Sequence, residues 1–265
     1  MSWTPRRGLT PLPIAVLAAA GAALVALPLA GLALRTPWSK AWAAVASPVA
    51  LTALRLSLVV ATSASVIAFV VGLPLAWVLA RSRVPGRTIL RGIVVLPLVM
   101  PPVVGGVALL TAFGRRGLVG APLYRLLGVQ ITFTTGAAIL AATFVSFPLM
   151  VLALEAGLRA MDLRLEQAAV TLGASRWYVL RRVTLPLLAP QIVAGFVLSW
   201  ARALGEFGAT ITFAGNLRGV TQTLPLAVFQ ELQTDPGGAV ALSLSLVAIS
   251  LAVIVGLRAR FLSAP

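Results

Sequence analysis

Cysteine and histidine are both missing from all 265 residues. Disulfides, thiol nucleophiles, histidine-ligated metal sites and histidine-based catalytic triads are thereby excluded. Lysine occurs once, as Lys40 in Pro37-Trp-Ser-Lys-Ala, and it belongs to no G-x-x-x-x-G-K-[ST] phosphate loop. The chain cannot hydrolyse ATP by the Walker mechanism alone, so an ATP-driven activity needs another chain as its motor. Acids are scarce, 6 against 21 basic residues, and lie mostly in loops, which leaves a membrane enzyme without a catalytic set. There is no internal repeat and no low-complexity tract beyond Ala/Leu-rich sequence.

What the chain has in excess is apolar length. It is 60% hydrophobic and 10% charged, against about 45–50% apolar in soluble domains. A helix crosses the hydrocarbon core with about 20 apolar residues. Uncharged runs of that size are Leu12 to Leu34, Leu56 to Ala80, Gly92 to Gly114, Leu126 to Leu154 and Pro236 to Leu257, with a charge-interrupted run from Pro190 to Gly215. The expectation is an all-α polytopic membrane protein of about six helices. The 23-residue first run behind Arg6-Arg7 exceeds the h-region of a cleavable signal and reads as a retained signal-anchor, with cleavage the alternative.

The net charge of +15 follows from topology rather than nucleic acid. With the amino terminus inside, the inner segments hold thirteen basic residues: Arg6, Arg7, Arg81, Arg83, Arg87, Arg91, Arg159, Arg164, Arg176, Arg181, Arg182, Arg258 and Arg260. The outer segments hold six, Arg35, Lys40, Arg115, Arg116, Arg125 and Arg218, while Arg55 and Arg202 lie at or inside spans. The positive-inside rule puts both termini and the loop around Asp162 to Pro186 in the cytoplasm. Trp38 and Trp42 suit the headgroup level beyond the first span.

That loop is the most punctuated part of the chain. Asp162 can cap a helix, Gly173 can close it in the left-handed conformation, and Ser175 can cap a second short helix that Pro186 limits. On the first helix Leu165, Ala168, Ala169 and Leu172 form a stripe, with Arg164 and Glu166 outside it. By itself this is also the pattern of an ordinary cytoplasmic amphipathic hairpin. Glu166-Gln-Ala-Ala-Val-Thr-Leu-Gly173, nine residues, then Val183-Thr-Leu-Pro186 resembles the EAA loop of ABC importer permeases. The chain departs from that pattern at Gln167, where the family usually has Glu, and at Val183, which replaces Ile. The resemblance implies ATPase coupling through Glu166, Gln167, Ala168, Ala169, Gly173, Ala174, Ser175, Arg176, Leu185 and Pro186.

Two further segments carry chemistry. In Leu96-Pro-Leu-Val-Met-Pro-Pro-Val-Val-Gly-Gly106, Pro97, Pro101, Pro102 and Gly105 predict a bent or broken span. Broken spans often line a path, although a packed, proline-kinked helix has the same sequence signature. In Trp200-Ala-Arg-Ala-Leu-Gly-Glu-Phe-Gly-Ala-Thr, Arg202 and Glu206 would lie about 18 and 24 Å along a helix from Pro190. Their i,i+4 spacing lets them neutralise each other, either along an anion's path or as a tie between helices or protomers. Gly208, Thr210 and Asn216 are further path or packing candidates.

These segments, Gly114-Arg-Arg-Gly-Leu-Val-Gly120 and Thr221-Gln-Thr-Leu-Pro225 resemble the molybdate-type permeases within the ABC class; sulfate permeases often carry Tyr-Gly-Ser where this chain has Phe207-Gly208-Ala209. The resemblance runs from about Leu54 to the carboxyl terminus, and divides the chain into residues 1–54 and a permease core, 55–265, with a coupling loop at 155–190. It implies an inner-membrane type I importer permease for a tetrahedral oxyanion, molybdate before sulfate or tungstate. A second copy of the chain, two cytoplasmic ATP-binding subunits, an extracytoplasmic substrate-binding protein and lipid are the implied partners. No cofactor is expected on this chain, ATP being held by the partner. The rival is an ion-gradient-driven secondary transporter, for which Glu206 is the one intramembrane carboxylate expected.

Overall fold

The computed structural model describes residues 11–261. The elements in chain order are α1 (Leu12–Arg35), α2 (Trp38–Val45), α3 (Pro48–Arg81), α4 (Arg87–Val99), α5 (Pro102–Phe113), α6 (Gly120–Leu127), α7 (Thr135–Ala160), α8 (Leu163–Thr171), α9 (Arg176–Val179), α10 (Leu185–Leu204), α11 (Gly208–Phe213), α12 (Leu224–Thr234) and α13 (Pro236–Phe261). A π-helical turn, Leu180–Thr184, joins α9 to α10, so Arg176–Leu204 runs as one 29-residue span. No strand occurs among the described residues. Arg6-Arg7 and the signal-like character attached to it lie outside them.

Among the described residues five helices are long and apolar enough to cross a membrane, or six if α4 and α5, bent by 119° at their break, are counted as one span. The bend follows from consecutive prolines. A residue before proline is driven out of the helical region, and here that applies to Met100 (ψ 137°) and again to Pro101 (ψ 131°). Helix then resumes at Pro102, whose missing N–H costs nothing in a first turn.

Three expected spans have different bounds. The second begins earlier, at Pro48, because the Ser47 hydroxyl accepts from the Ala50 N–H at 3.2 Å; α3 thus runs across residue 54. The fourth begins later: Leu126 belongs to α6, which Gly128 ends at φ +66°, and Thr134 starts α7 by accepting from the Ala137 N–H at 3.1 Å. The fifth starts at Arg176 and stops at Leu204, so Glu206 lies beyond its end.

The core is α3, α7 and α10 packed together, with small residues at the contacts. On α3 the small residues of the buried face are Ala50, Ala53, Ser57, Ala61, Ala64, Ser65, Ala68, Gly72 and Ala76, a helical stripe beside Val60 and Leu79. On α7 it begins Ala137, Ala138, Ala141 and Ala142. In lipid, apolar burial barely drives helix association, so close backbone approach has to do it, and small side chains permit that. Gly157 shows how close the approach is, since a Cβ there would stand 2.6 Å from Leu188 and 2.9 Å from the Gln191 Cβ. By contrast α1 buries none of its residues.

The broken span meets α11 at similar range. A Cβ on Gly106 would lie 2.6 Å from the Thr212 Cβ and 2.9 Å from the Ala209 carbonyl oxygen. Gly106→Ala is therefore expected to destabilise the protein by about 1–3 kcal/mol. Gly92 in α4 has nothing within 4 Å of such a Cβ, so Gly92→Ala should leave stability unchanged or raise it by up to about 1 kcal/mol. Thermal unfolding of both variants in the same detergent checks this opposition in sign.

Candidate functional site

Between α7 and α10, α8 and α9 meet in the elbow that Asp162, Gly173 and Ser175 predict, while residues 155–160 and 185–190 of the expected loop belong to α7 and α10. Asp162 Oδ1 accepts from the Arg164 N–H at 3.0 Å, and the Arg164 guanidinium returns to Oδ2 at 2.8 Å. Gly173 has φ +85° and ends α8 in a Schellman arrangement, with its N–H on the Val170 carbonyl at 2.9 Å and the Ala174 N–H on that of Ala169 at 3.0 Å. The Ser175 hydroxyl accepts from the Tyr178 N–H at 3.2 Å and starts α9. Pro186 does not limit the second helix, contrary to expectation. The π-turn before it carries the chain into α10, with the Leu185 N–H reaching back five residues to the Leu180 carbonyl. That wider turn places Pro186 in the first turn of α10, where no backbone donor is required of it.

The elbow's amphipathicity is inverted. Leu163, Leu165, Val170 and Leu172 are 49 to 88% exposed, and Gln167, Ala168, Gly173, Ser175, Arg176 and Pro186 are exposed beside them. Ala169, Ala174 and Leu185 are half-buried. The inward group is the carboxylate: Glu166 pairs through Oε2 with Arg81, at the end of α3, and accepts from the Thr184 hydroxyl at 2.6 Å through Oε1. Arg81 also lies over the Trp77 ring, 4.7 Å from its centroid. Arg81, Trp77 and Thr184 escaped the sequence reading; the available signal was that Glu166 falls off the apolar stripe.

A second constellation forms where α5 meets α11. Glu206, 2% exposed, accepts from Arg202 Nη1 at 2.6 Å and from the Ala209 N–H at 2.8 Å, so it both neutralises the arginine and caps α11. Arg202 sits in the last turn of α10, about 26 Å from Leu185 at 1.5 Å per residue. The pair lies near the far end of the span from the elbow, a correction to the placement counted from Pro190. Gly208 and Pro102 touch closely, a Cβ on Gly208 falling 2.8 Å from the Pro102 Cβ, and one on Gly105 would lie 3.2 Å from Phe144. Thr210 is buried in the same contact. Pro97 is half-buried in α4 and Pro101 exposed at the bend. Asn216 stands apart, donating to Gln230 Oε1 at 3.3 Å, as Gln222 does at 2.6 Å.

Glu206 lies past the end of its span, whereas a carboxylate that was not expected lies within a spanning helix. Glu155, just past the apolar run that ends at Leu154, lies inside α7 because the helix continues to Ala160. It is 4% exposed and bonded to both Arg91 and Arg159.

A family model described as "Binding-protein-dependent transport system inner membrane component" matches residues 68–263. The molybdenum transport system permease protein ModB of Mycobacterium tuberculosis is 51% identical over 245 residues, 92% of either chain. ModB of Escherichia coli is 47% identical over 202 residues, 76% of this chain and 88% of that one. The 245-residue match reaches into the first fifty residues, which the motif resemblance left aside. The crystal structure of a bacterial ABC transporter involved in the import of alginate superposes with a TM-score of 0.72 at 17% identity over 94% of each chain, which is a likeness of fold.

The Asp162 carboxyl is held below its ordinary range by the Arg164 side chain and then by the Arg164 N–H. A lowered folded pKa means that the cap's contribution is present above the unfolded value, about 3.9, and is lost as pH falls through the folded value. Amide hydrogen exchange across α8 should therefore lose protection on acidification. In Asp162→Asn, which caps without ionising, that pH dependence should vanish.

Proposed function

Because the chain belongs to the family of binding-protein-dependent transport system inner membrane components, we propose that it is the membrane-spanning subunit of an ATP-driven importer that carries a tetrahedral oxyanion, molybdate, into the cell. The chain is a multi-pass bacterial inner-membrane protein. The observation that carries the mechanism is the inverted elbow. Leucines and a valine are held out in water while the carboxylate of Glu166 is tied inward. Fully burying each such side chain is worth about 1.5–3 kcal/mol, so the face is built to be covered. Its occupant is a cytoplasmic ATPase subunit, which supplies the phosphate loop this chain lacks.

The assembly is two copies of the chain, two ATPase subunits and an extracytoplasmic binding protein, with both termini inside. Closure of the ATPase pair draws the elbows together, and the elbows turn α3 and the continuous Arg176–Leu204 span. Arg176 leads that span, so movement of α9 passes through the π-turn into α10 without a flexible joint. At the other end of α10, Glu206 cancels the charge of Arg202 and fixes α11 on the broken span. An oxyanion passing this contact meets no unpaired arginine there to hold it, and tight selection is left to the binding protein. Molybdate is favoured by the identity to the two ModB proteins and by Phe207-Gly208-Ala209 in place of Tyr-Gly-Ser. Sulfate and tungstate share the charge and shape and are the competing cargoes.

Gly173→Val tests the elbow without disturbing contacts, since nothing lies within 4 Å of a Cβ there and only the positive φ is violated. Strain of about 1–3 kcal/mol is expected. Membrane insertion should be intact, while ATPase association and the hydrolysis stimulated by molybdate-loaded binding protein should fall. Unchanged stimulation would contradict the assignment, and equal stimulation by sulfate-loaded binding protein would remove the preference for molybdate.

A further inference from the structure

The bent span is joined to the elbow end of the bundle by a buried carboxylate that no motif marks, and we propose that Glu155 is the positioning residue that transmits elbow movement to α4. The inference rests on the coupling role proposed above. Only Val94 of α4 is buried, so the apolar hold of this 13-residue helix on the bundle is slight. Its ion pair, the only one α4 makes among the described residues, joins Arg91 to Glu155 of α7.

Glu155 gathers more than α4. The oxygen that takes Arg91 also accepts from Arg159 Nε at 3.0 Å and lies 2.8 Å from Arg159 Nη2 in an ion pair. Arg159 Nη2 donates in turn to the Leu79 carbonyl at 3.0 Å, in the last turn of α3. Two residues further on, Arg81 holds Glu166. Polar contacts, joined between Arg81 and Leu79 by the α3 backbone, therefore lead from the elbow through the end of α3 to Arg159, Glu155 and Arg91. From Arg91, α4 leads to the Pro101-Pro102 bend and so to the α5 contact with α11. The Glu155 side chain is 5% exposed, whereas its partners are 42 and 41% exposed. The carboxylate is the fixed centre and the arginines are the arms. Such directional bonds hold register where an apolar contact would let helices slide, so a shift at the end of α3 is passed to α4.

A structural staple would have the same contacts, and contiguity alone does not show coupling. The two roles separate in the ratio of transport to hydrolysis. The full chain with its ATPase subunits is reconstituted in liposomes, with molybdate-loaded binding protein outside, and molybdate uptake is measured against ATP hydrolysed. In Glu155→Gln, hydrolysis should stay within about twofold while uptake falls about tenfold, inside the usual range of coupling between sites. Because this variant can also loosen the hairpin, Arg91→Glu is combined with Glu155→Arg, and the exchanged pair should recover uptake per ATP relative to either single change. Uptake and hydrolysis falling in proportion, uptake unchanged in Glu155→Gln, or no recovery in the exchanged pair would each overturn the inference. If the unaltered complex shows no ATP-dependent uptake, the importer reading itself falls, and this inference with it.

Discussion

The elbow depends on one carboxylate turned the wrong way for an ordinary amphipathic helix. Glu166 faces the bundle, held by Arg81 and by the Thr184 hydroxyl, and the apolar side of α8 is left outside as a consequence. Both side chains of the Arg81–Glu166 pair are only about an eighth to a seventh exposed, at 13% and 14%. The pair is thus far better shielded than a surface salt bridge, where solvent reduces the gain to about 0–1 kcal/mol. Removing one partner from a buried pair costs more than the pair contributes, because the other charge is stranded. The attachment joins elements far apart in sequence, the ends of α3 and α8 and the π-turn before α10. Any force on the elbow therefore reaches two spans together.

At the other end of α10, two motifs that look independent in sequence prove to be halves of one contact. Consecutive prolines turn the chain by 119° and present Gly105 and Gly106. Gly208 and Ala209 on α11 then approach to distances that leave no room for a larger side chain. Glu206 keeps this contact neutral and caps α11 with the same carboxylate. Free backbone groups at a broken span must find partners within the protein, and here the Glu206 carboxylate takes the Ala209 N–H at the start of α11. The small-residue core of α3 and α7 follows the same rule of close approach.

Local chemistry was readable from the sequence, and chemistry joining distant residues was not. Asp162, Gly173 and Ser175 announce the elbow because caps depend on a few neighbouring residues, and the hydropathy runs announce the five long apolar helices and the bent pair α4 and α5. Pro186 misled because proline after a short helix reads as a stop, while the π-turn that absorbs it has no comparable signature. Glu155 was passed over because its apolar run ends one residue earlier, although the helix continues to Ala160. The partner that turns Glu166 inward could not be read, since Arg81 lies 85 residues away, and the one signal was that Glu166 falls off the apolar stripe. Arg202 and Glu206 were paired correctly by spacing, but the span that carries Arg202 runs from Arg176 to Leu204 rather than from Pro190 to Gly215, so Glu206 lies beyond its end.

The lack of native cysteine allows a clean measurement of the elbow's exposure. Leu172, 88% exposed beside Gly173, can be replaced by cysteine and labelled with a membrane-impermeant maleimide in sealed vesicles of either orientation. Labelling should occur only when the cytoplasmic face is outward, and bound ATPase subunit should suppress it. Labelling from the opposite face, or labelling indifferent to the ATPase, would contradict the claim that this elbow is where a cytoplasmic motor takes hold.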